Sequence, residues 1–160
     1  MRILITGGVR SGKSRFALEL AEKHFSSKNF LATAIAFDEE MQERIRNHRK
    51  ERGEAFTTIE EPIEIHTALC ENVILDDITV WLNNLFFREQ SECYREILAE
   101  LLRTMPQNII IITNETGMGN IPADAYTRRY NRLLGEINME LARAVDQLFF
   151  MVSGYPIQIK

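Results

Sequence analysis

The sequence predicts an α/β fold, a mostly parallel sheet with helices on both faces, and three observations carry that expectation. Short β-branched apolar runs alternate with longer helical patterns from end to end. The first run leads directly into a glycine-rich phosphate-binding signature and then into a helical pattern. No linker, repeat or low-complexity tract divides the 160 residues, a length suited to about one domain.

Taken in order, residues 2–6 form a short apolar run before two glycines and read as a strand, followed by a helix over 13–24. Residues 30–34 read as a second strand and residues 39–51 as a helix of high charge density. Residues 73–76 are an apolar run closed by an aspartate, a third strand, and the apolar stretch 79–87 is a helix. A helix over 93–105, a strand over the isoleucine-rich 108–113, a long helix over 123–145 and a strand over 147–152 complete the alternation. The turn Ser153-Gly154-Tyr155-Pro156 leads into 157–159, a short terminal strand. The span 37–62 is the least regular part. It is too long for a plain connection between second and third strands, and such excursions tend to carry function.

Composition narrows the class of partner. Nineteen Lys and Arg against 23 Asp and Glu give a net charge of −4, so no general basic field exists to coat nucleic acid, and no nucleic-acid partner is expected. Cys70 and Cys93 fall outside any C-x-x-C pattern and read as buried small hydrophobes. The N-terminus lacks a secretion pattern, and no window approaches the ~18 apolar residues of a membrane span. A cytoplasmic location is the expectation.

Gly7-Gly8-Val9-Arg10-Ser11-Gly12-Lys13-Ser14 satisfies G-x-x-x-x-G-K-[ST] in the strand–loop–helix context the motif requires. Backbone N–H groups of such a loop turn inward around phosphate oxygens and the helix N-terminus adds its positive end. Lys13 then reaches the β- and γ-phosphates, and Ser14 offers a hydroxyl to Mg²⁺. The third strand ends in Leu75-Asp76-Asp77. An acid there suits the metal or its water, with Asp76 favoured by position, although strand-end carboxylates also cap helices and a helix begins near Thr79.

Helical spacing sets Met41, Ile45, His48 and Arg52 along one stripe, with Arg44 and Arg52 one turn either side of the imidazole. An imidazole near its ordinary pKa is about three-quarters neutral at pH 7, and arginines raise that share. Two readings fit the stripe: a nucleophile inside an anion site, and an ordinary partly buried histidine. His24 and His66 read as helix-end and surface residues. Residues 113–122, TNETGMGNIP, follow the fourth strand and suit a substrate loop, though Pro122 at the first position of the next helix is also plain turn chemistry. Asn114-Glu115 does not continue as the N-K-x-D sequence of regulatory GTPases. Trp81 with Leu82, Leu85, Phe86 and Phe87 reads as core or subunit contact rather than a nucleobase platform.

In order, GGVRSGKS at Gly7, LATA at Leu31, the segment from Asp38 to Arg52, TIEEP at Thr58, LDDITVWLNNLF at Leu75, TNETGMGNIP at Thr113 and the closing VSGYPIQIK resemble one family over nearly the whole chain. It is the bifunctional adenosylcobinamide kinase and adenosylcobinamide-phosphate guanylyltransferase family of cobalamin biosynthesis. The chain departs from that pattern at Asp77, where a Cys is usual, at Phe56 in place of a Trp, and at Asn131-Arg132.

The resemblance implies a RecA-like phosphate-loop nucleotide-binding fold, associating as a homotrimer. It implies phosphorylation of adenosylcobinamide by ATP or GTP, then transfer of GMP from GTP to adenosylcobinamide phosphate through a guanylyl-histidine that falls on His48. By position it also implies nucleotide contacts at Gly7, Gly8, Val9, Arg10, Ser11, Gly12, Lys13 and Ser14, at Ala32, Thr33 and Ala34, at Arg49, Lys50, Glu51 and Arg52, and at Glu60 and Asp76.

Overall fold

A computed structural model of the chain describes residues 1–36, 39–53 and 55–160. The side chains of Glu40, Met41, Arg44, His48, Glu51 and Arg52 fall outside the described set. The elements in chain order are β1 (Arg2–Gly7), α1 (Lys13–His24), β2 (Asn29–Ala32), α2 (Glu39–Arg52), β3 (Thr57–Glu60), β4 (Val73–Asp76), α3 (Ile78–Phe87), α4 (Tyr94–Thr104), β5 (Ile109–Ile112), α5 (Ala125–Ala144), β6 (Gln147–Val152) and β7 (Tyr155–Gln158). The strands form one sheet in the order β3-β2-β4-β5-β1-β6-β7. All pairings are parallel except the β6–β7 hairpin. β5 lies between β1 and β4, so the strand that feeds the phosphate loop and the strand that ends in Asp76 are separated by one other.

Strand side chains alternate between two cores because successive residues point to opposite faces. Ile3 and Ile5, Ile74, and Ile110 and Ile112 enter one core together with Ala17 and Ala21 of α1. Leu4, Leu75, and Ile109 and Ile111 enter the other with α3, α4 and α5. Both faces of β5 are covered, so its four isoleucines are buried without interruption, as parallel strands between helices require. Trp81, Leu82 and Leu85 are wholly enclosed, and the Trp81 indole N–H donates to the Ile63 carbonyl oxygen at 2.8 Å. Trp81, Leu82, Leu85 and Phe86 are therefore core, whereas Phe87 is 73% exposed. Cys93 is exposed and Cys70 only partly buried, so neither thiol is enclosed as the sequence suggests.

Several boundaries differ from the sequence expectation. β3 was not expected: Thr-Thr-Ile-Glu is polar, and as an edge strand it half-buries only Ile59. The span 37–62 is thus more regular than its composition suggests, carrying α2 and β3. β2 ends at Ala32, not at residue 34, because Thr33 and Ala34 leave the sheet to line a cleft. α5 begins at Ala125, since the Asp124 carboxylate accepts the Thr127 amide at 2.7 Å and caps the helix there, so Pro122 is not its first residue. β7 begins two residues earlier than expected and includes Pro156, which an edge strand tolerates.

Candidate active site

The carboxyl ends of β1, β2, β4 and β5 open on one cleft of about 680 Å³, the edge at which ligands bind in open α/β sheets. Residues 9–14 line one wall. The loop can take this shape because Gly7 and Gly12 have positive φ, 146° and 94°, and a side chain would collide at Gly7 and be crowded at Gly12. A Cβ on Gly7 would come within 2.6 Å of the Met151 carbonyl oxygen, and one on Gly12 within 3.3 Å of the Gly154 Cα. The turn of the β6–β7 hairpin therefore backs the loop directly, and the Gly154 amide donates to the Ser11 carbonyl oxygen at 3.0 Å. Lys13 opens α1 and is nearly enclosed. Its ammonium donates to the carbonyl oxygens of Gly8 at 2.7 Å and Gly7 at 3.3 Å. Gly7 and Gly8 thus serve the site through their backbone rather than as cleft lining.

Opposite the loop, β4 delivers two adjacent carboxylates with different work. Asp77 caps α3, its Oδ1 accepting the Thr79 amide at 2.8 Å, and its Oδ2 accepts from the Asn114 side-chain amide at 3.2 Å. Burial pushes its pKa up to about 6, the adjacent Asp76 charge adds to the rise, and Thr79 and Lys13 oppose it. The capping role foreseen for this acidic pair falls on Asp77. Asp76 and Asp77 both line the cleft, together with Ser14. Thr33 is fully buried, and its hydroxyl accepts the Asp77 amide at 3.0 Å while donating to the Asp77 carbonyl oxygen at 2.9 Å. It pins the end of β2 to the end of β4, a cross-strand role within the wall of the cleft.

A second cleft of about 420 Å³ adjoins the first and shares Ala34 and Ile45 with it. α2 forms part of both walls: Asn47 and Glu43 line the phosphate cleft, whereas Gln42, Arg46 and Arg49 line the second. Arg49 forms an ion pair with Glu60 at the end of β3, so these two expected nucleotide contacts meet there. Lys50 is exposed. His48 belongs to α2, between Asn47 and Arg49, and its imidazole lies outside the described residues, as do the side chains of Glu51 and Arg52.

The residues expected at the site therefore divide between the clefts. Residues 9–14, Ala32, Thr33 and Asp76 belong to the first, Arg49 and Glu60 to the second, and Ala34 to both. Arg15, Asn47 and Asp77 also line the phosphate cleft and had not been singled out for it. In the sequence Asn47 stands out only by its adjacency to His48, and Asp77 as the less favoured member of the strand-end acidic pair. Ser14 and Asp76 offer Mg²⁺ a hydroxyl and a carboxylate, a donor set that suits an ion which keeps several waters and takes its remaining ligands from phosphate oxygens. Among the described residues no group of three or more His, Cys, Asp or Glu forms a protein cage for a metal, and no helix is long and apolar enough to cross a membrane.

Comparison with known proteins places the whole chain in one family. The family model CobU, cobinamide kinase / cobinamide phosphate guanyltransferase, matches residues 3–159. The bifunctional adenosylcobalamin biosynthesis protein CobP of Pseudomonas aeruginosa is 37% identical over 169 residues, covering 100% of this chain and 98% of that protein. The bifunctional adenosylcobalamin biosynthesis proteins CobU of Escherichia coli and of Salmonella typhimurium are each 31% identical over 182 residues, covering both chains in full. A phosphate loop facing a strand-end carboxylate, a basic helix between two clefts, and a match along almost every residue make this chain a member of the cobinamide kinase / cobinamide phosphate guanyltransferase family.

Proposed function

We propose that the chain phosphorylates the terminal hydroxyl of adenosylcobinamide with ATP or GTP in the phosphate cleft. It then transfers GMP from GTP to adenosylcobinamide phosphate through a guanylyl group carried on His48. The observation that supports the first step most directly is the convergence of Lys13, Ser14 and Asp76 on one cleft at the carboxyl edge of the sheet. Inward backbone amides and the Lys13 ammonium bind the β- and γ-phosphates, and the loop holds them in line with the incoming hydroxyl. Mg²⁺ held by Ser14 and Asp76 supplies neutralisation of phosphate charge.

The second step uses α2. The His48 imidazole nitrogen attacks the α-phosphorus, a P–N bond forms, the bond to the bridging oxygen breaks and pyrophosphate leaves. An oxygen of the corrinoid phosphate then attacks the same phosphorus. The P–N bond breaks, a phosphoanhydride forms, and the product is adenosyl-GDP-cobinamide. Guanidinium groups on α2 favour binding of the polyphosphate. The Glu60 carboxylate at the mouth of the second cleft is an acceptor of the kind that the N1–H and N2–H edge of guanine binds. The working particle is a homotrimer.

The test supplies purified protein with adenosylcobinamide, Mg²⁺ and γ-labelled ATP or GTP, then with unlabelled GTP. Label is expected first in a corrinoid monophosphate and then in a GDP-corrinoid, with one pyrophosphate released per transfer. A corrinoid that acquires no label from either nucleotide contradicts the reading.

A further inference from the structure

The end of β5 brings into the phosphate cleft a side chain that the reactions above leave without a task. Asn114 follows β5, the strand between the one that feeds the phosphate loop and the one that ends in Asp76, and it lines the cleft alongside Lys13, Ser14 and Asp76. Four hydrogen bonds hold this corner. The Asn114 amide N–H donates to the Thr79 hydroxyl at 2.9 Å, and its carbonyl oxygen accepts from the Asn138 side chain at 3.1 Å. Asn138 in turn accepts from the Thr113 hydroxyl at 2.8 Å, and the Asn114 Nδ2 donates to Asp77 Oδ2 at 3.2 Å. A carboxylate oxygen accepts and cannot donate, so Asp77 decides which way round the amide sits. Once one Nδ2 hydrogen is committed to Asp77, the Oδ1 acceptor and the second Nδ2 hydrogen have no partner in the chain among the described residues. An amide on a backbone fixed by two hydrogen bonds, oriented by Asp77 and with one acceptor and one donor to spare, in the wall of a phosphoryl-transfer cleft, matches what a hydroxyl attacking a phosphoryl group presents: one O–H to donate and phosphoryl oxygens that accept.

We propose that Asn114 contacts the reacting groups of the phosphorylation step, its Oδ1 accepting from the attacking hydroxyl and its Nδ2 donating to an oxygen of the transferred phosphoryl group. This rests on the kinase reading above. The new bond joins the acceptor oxygen to the γ-phosphorus and the bond from that phosphorus to the β,γ-bridging oxygen breaks. The nucleoside diphosphate leaves with that electron pair. Asn114 takes no proton: the hydroxyl proton passes to an oxygen of the transferred phosphoryl group and from there to water. The residue acts by orientation, which is where phosphoryl-transfer enzymes obtain most of their rate. Attack on the α-phosphorus by His48 has no hydroxyl to orient, so the guanylylation half-reaction does not use this contact.

The experiment compares wild type with Asn114→Ala and Asn114→Ser, both of which keep the backbone bonds to Thr79 and Asn138. Steady-state phosphorylation of adenosylcobinamide and labelling of the protein by α-labelled GTP are measured on the same preparations. The expected result is a fall of roughly a hundredfold in kcat for phosphorylation, with the nucleotide KM and the labelling rate each within about threefold of wild type. Equal losses in both reactions, or a kinase kcat within threefold of wild type in either folded variant, overturn the proposal. If wild type phosphorylates no corrinoid, it is the functional reading that fails. The same comparison is then made on γ-phosphate release to water, where Asn114 orients the attacking water and the same fall in rate is expected.

Discussion

Lys13 shows how a single position joins local structure to chemistry. It is the first residue of α1, it is nearly enclosed, and its ammonium is held at the carbonyl oxygens of Gly7 and Gly8 within the loop. A cation preorganised in a water-poor loop stabilises charge that develops during transfer without having to be reoriented. Lys13→Ala is expected to lower phosphorylation of adenosylcobinamide by at least roughly a hundredfold, about 2.7 kcal/mol of barrier, in a variant that remains folded. Near wild-type turnover would remove the loop from the step. The phosphate loop was legible residue by residue because its chemistry and its backbone demands coincide in one contiguous motif. Asp77 and Asn114 were not legible in that way. Their relation is a 3.2 Å hydrogen bond between the ends of two strands 37 residues apart, and nothing in either local sequence announces it. The sequence did narrow the strand-end acid to a pair, and in the structure both members line the cleft while Asp77 also caps α3 through the Thr79 amide.

At the scale of elements, the hairpin β6–β7 is the support on which the phosphate loop rests. Gly7 lies under the Met151 carbonyl oxygen, Gly12 against Gly154, and the Gly154 amide is bonded to the Ser11 carbonyl oxygen. Gly7→Ala would place a methyl 2.6 Å from a backbone oxygen at a φ of 146° that side chains rarely adopt. Denaturant titration is expected to show a loss of about 1–3 kcal/mol, and phosphorylation should fall with it as the loop shifts. Wild-type stability would mean that the hairpin does not press on the loop. The buried strands and the helices α1, α3, α4 and α5 were readable from periodicity, since burial writes itself into apolar spacing. β3 was not, because an exposed edge strand of Thr-Thr-Ile-Glu has almost nothing to bury. The start of α5 was misplaced by two residues because Pro122 and Asp124 both carry helix-start signals, and a carboxylate that accepts the Thr127 amide prevails over a proline that only presets φ.

At the scale of the whole molecule, one sheet places two adjoining clefts on either side of α2, and a match to a bifunctional family runs over residues 3–159. Trp81, Leu82 and Leu85 of α3 are core and Phe87 is exposed, so the helix offers little apolar surface for a subunit contact. The expected homotrimer rests on family membership, and light scattering should return about three chain masses of 18.6 kDa. A fully active monomer at micromolar concentration would refute it. The central claim is that α2 carries GMP covalently at His48 while the phosphate loop serves a separate phosphorylation. Incubation with α-labelled GTP and Mg²⁺ tests it most directly. The account predicts label on the protein that is lost in acid, where protonation of the phosphoramidate nitrogen makes it a good leaving group, and retained in base. It also predicts that His48→Ala abolishes the label while keeping much of the phosphorylation of adenosylcobinamide. Label that persists in His48→Ala, or that survives acid and is released only by alkali, would contradict it.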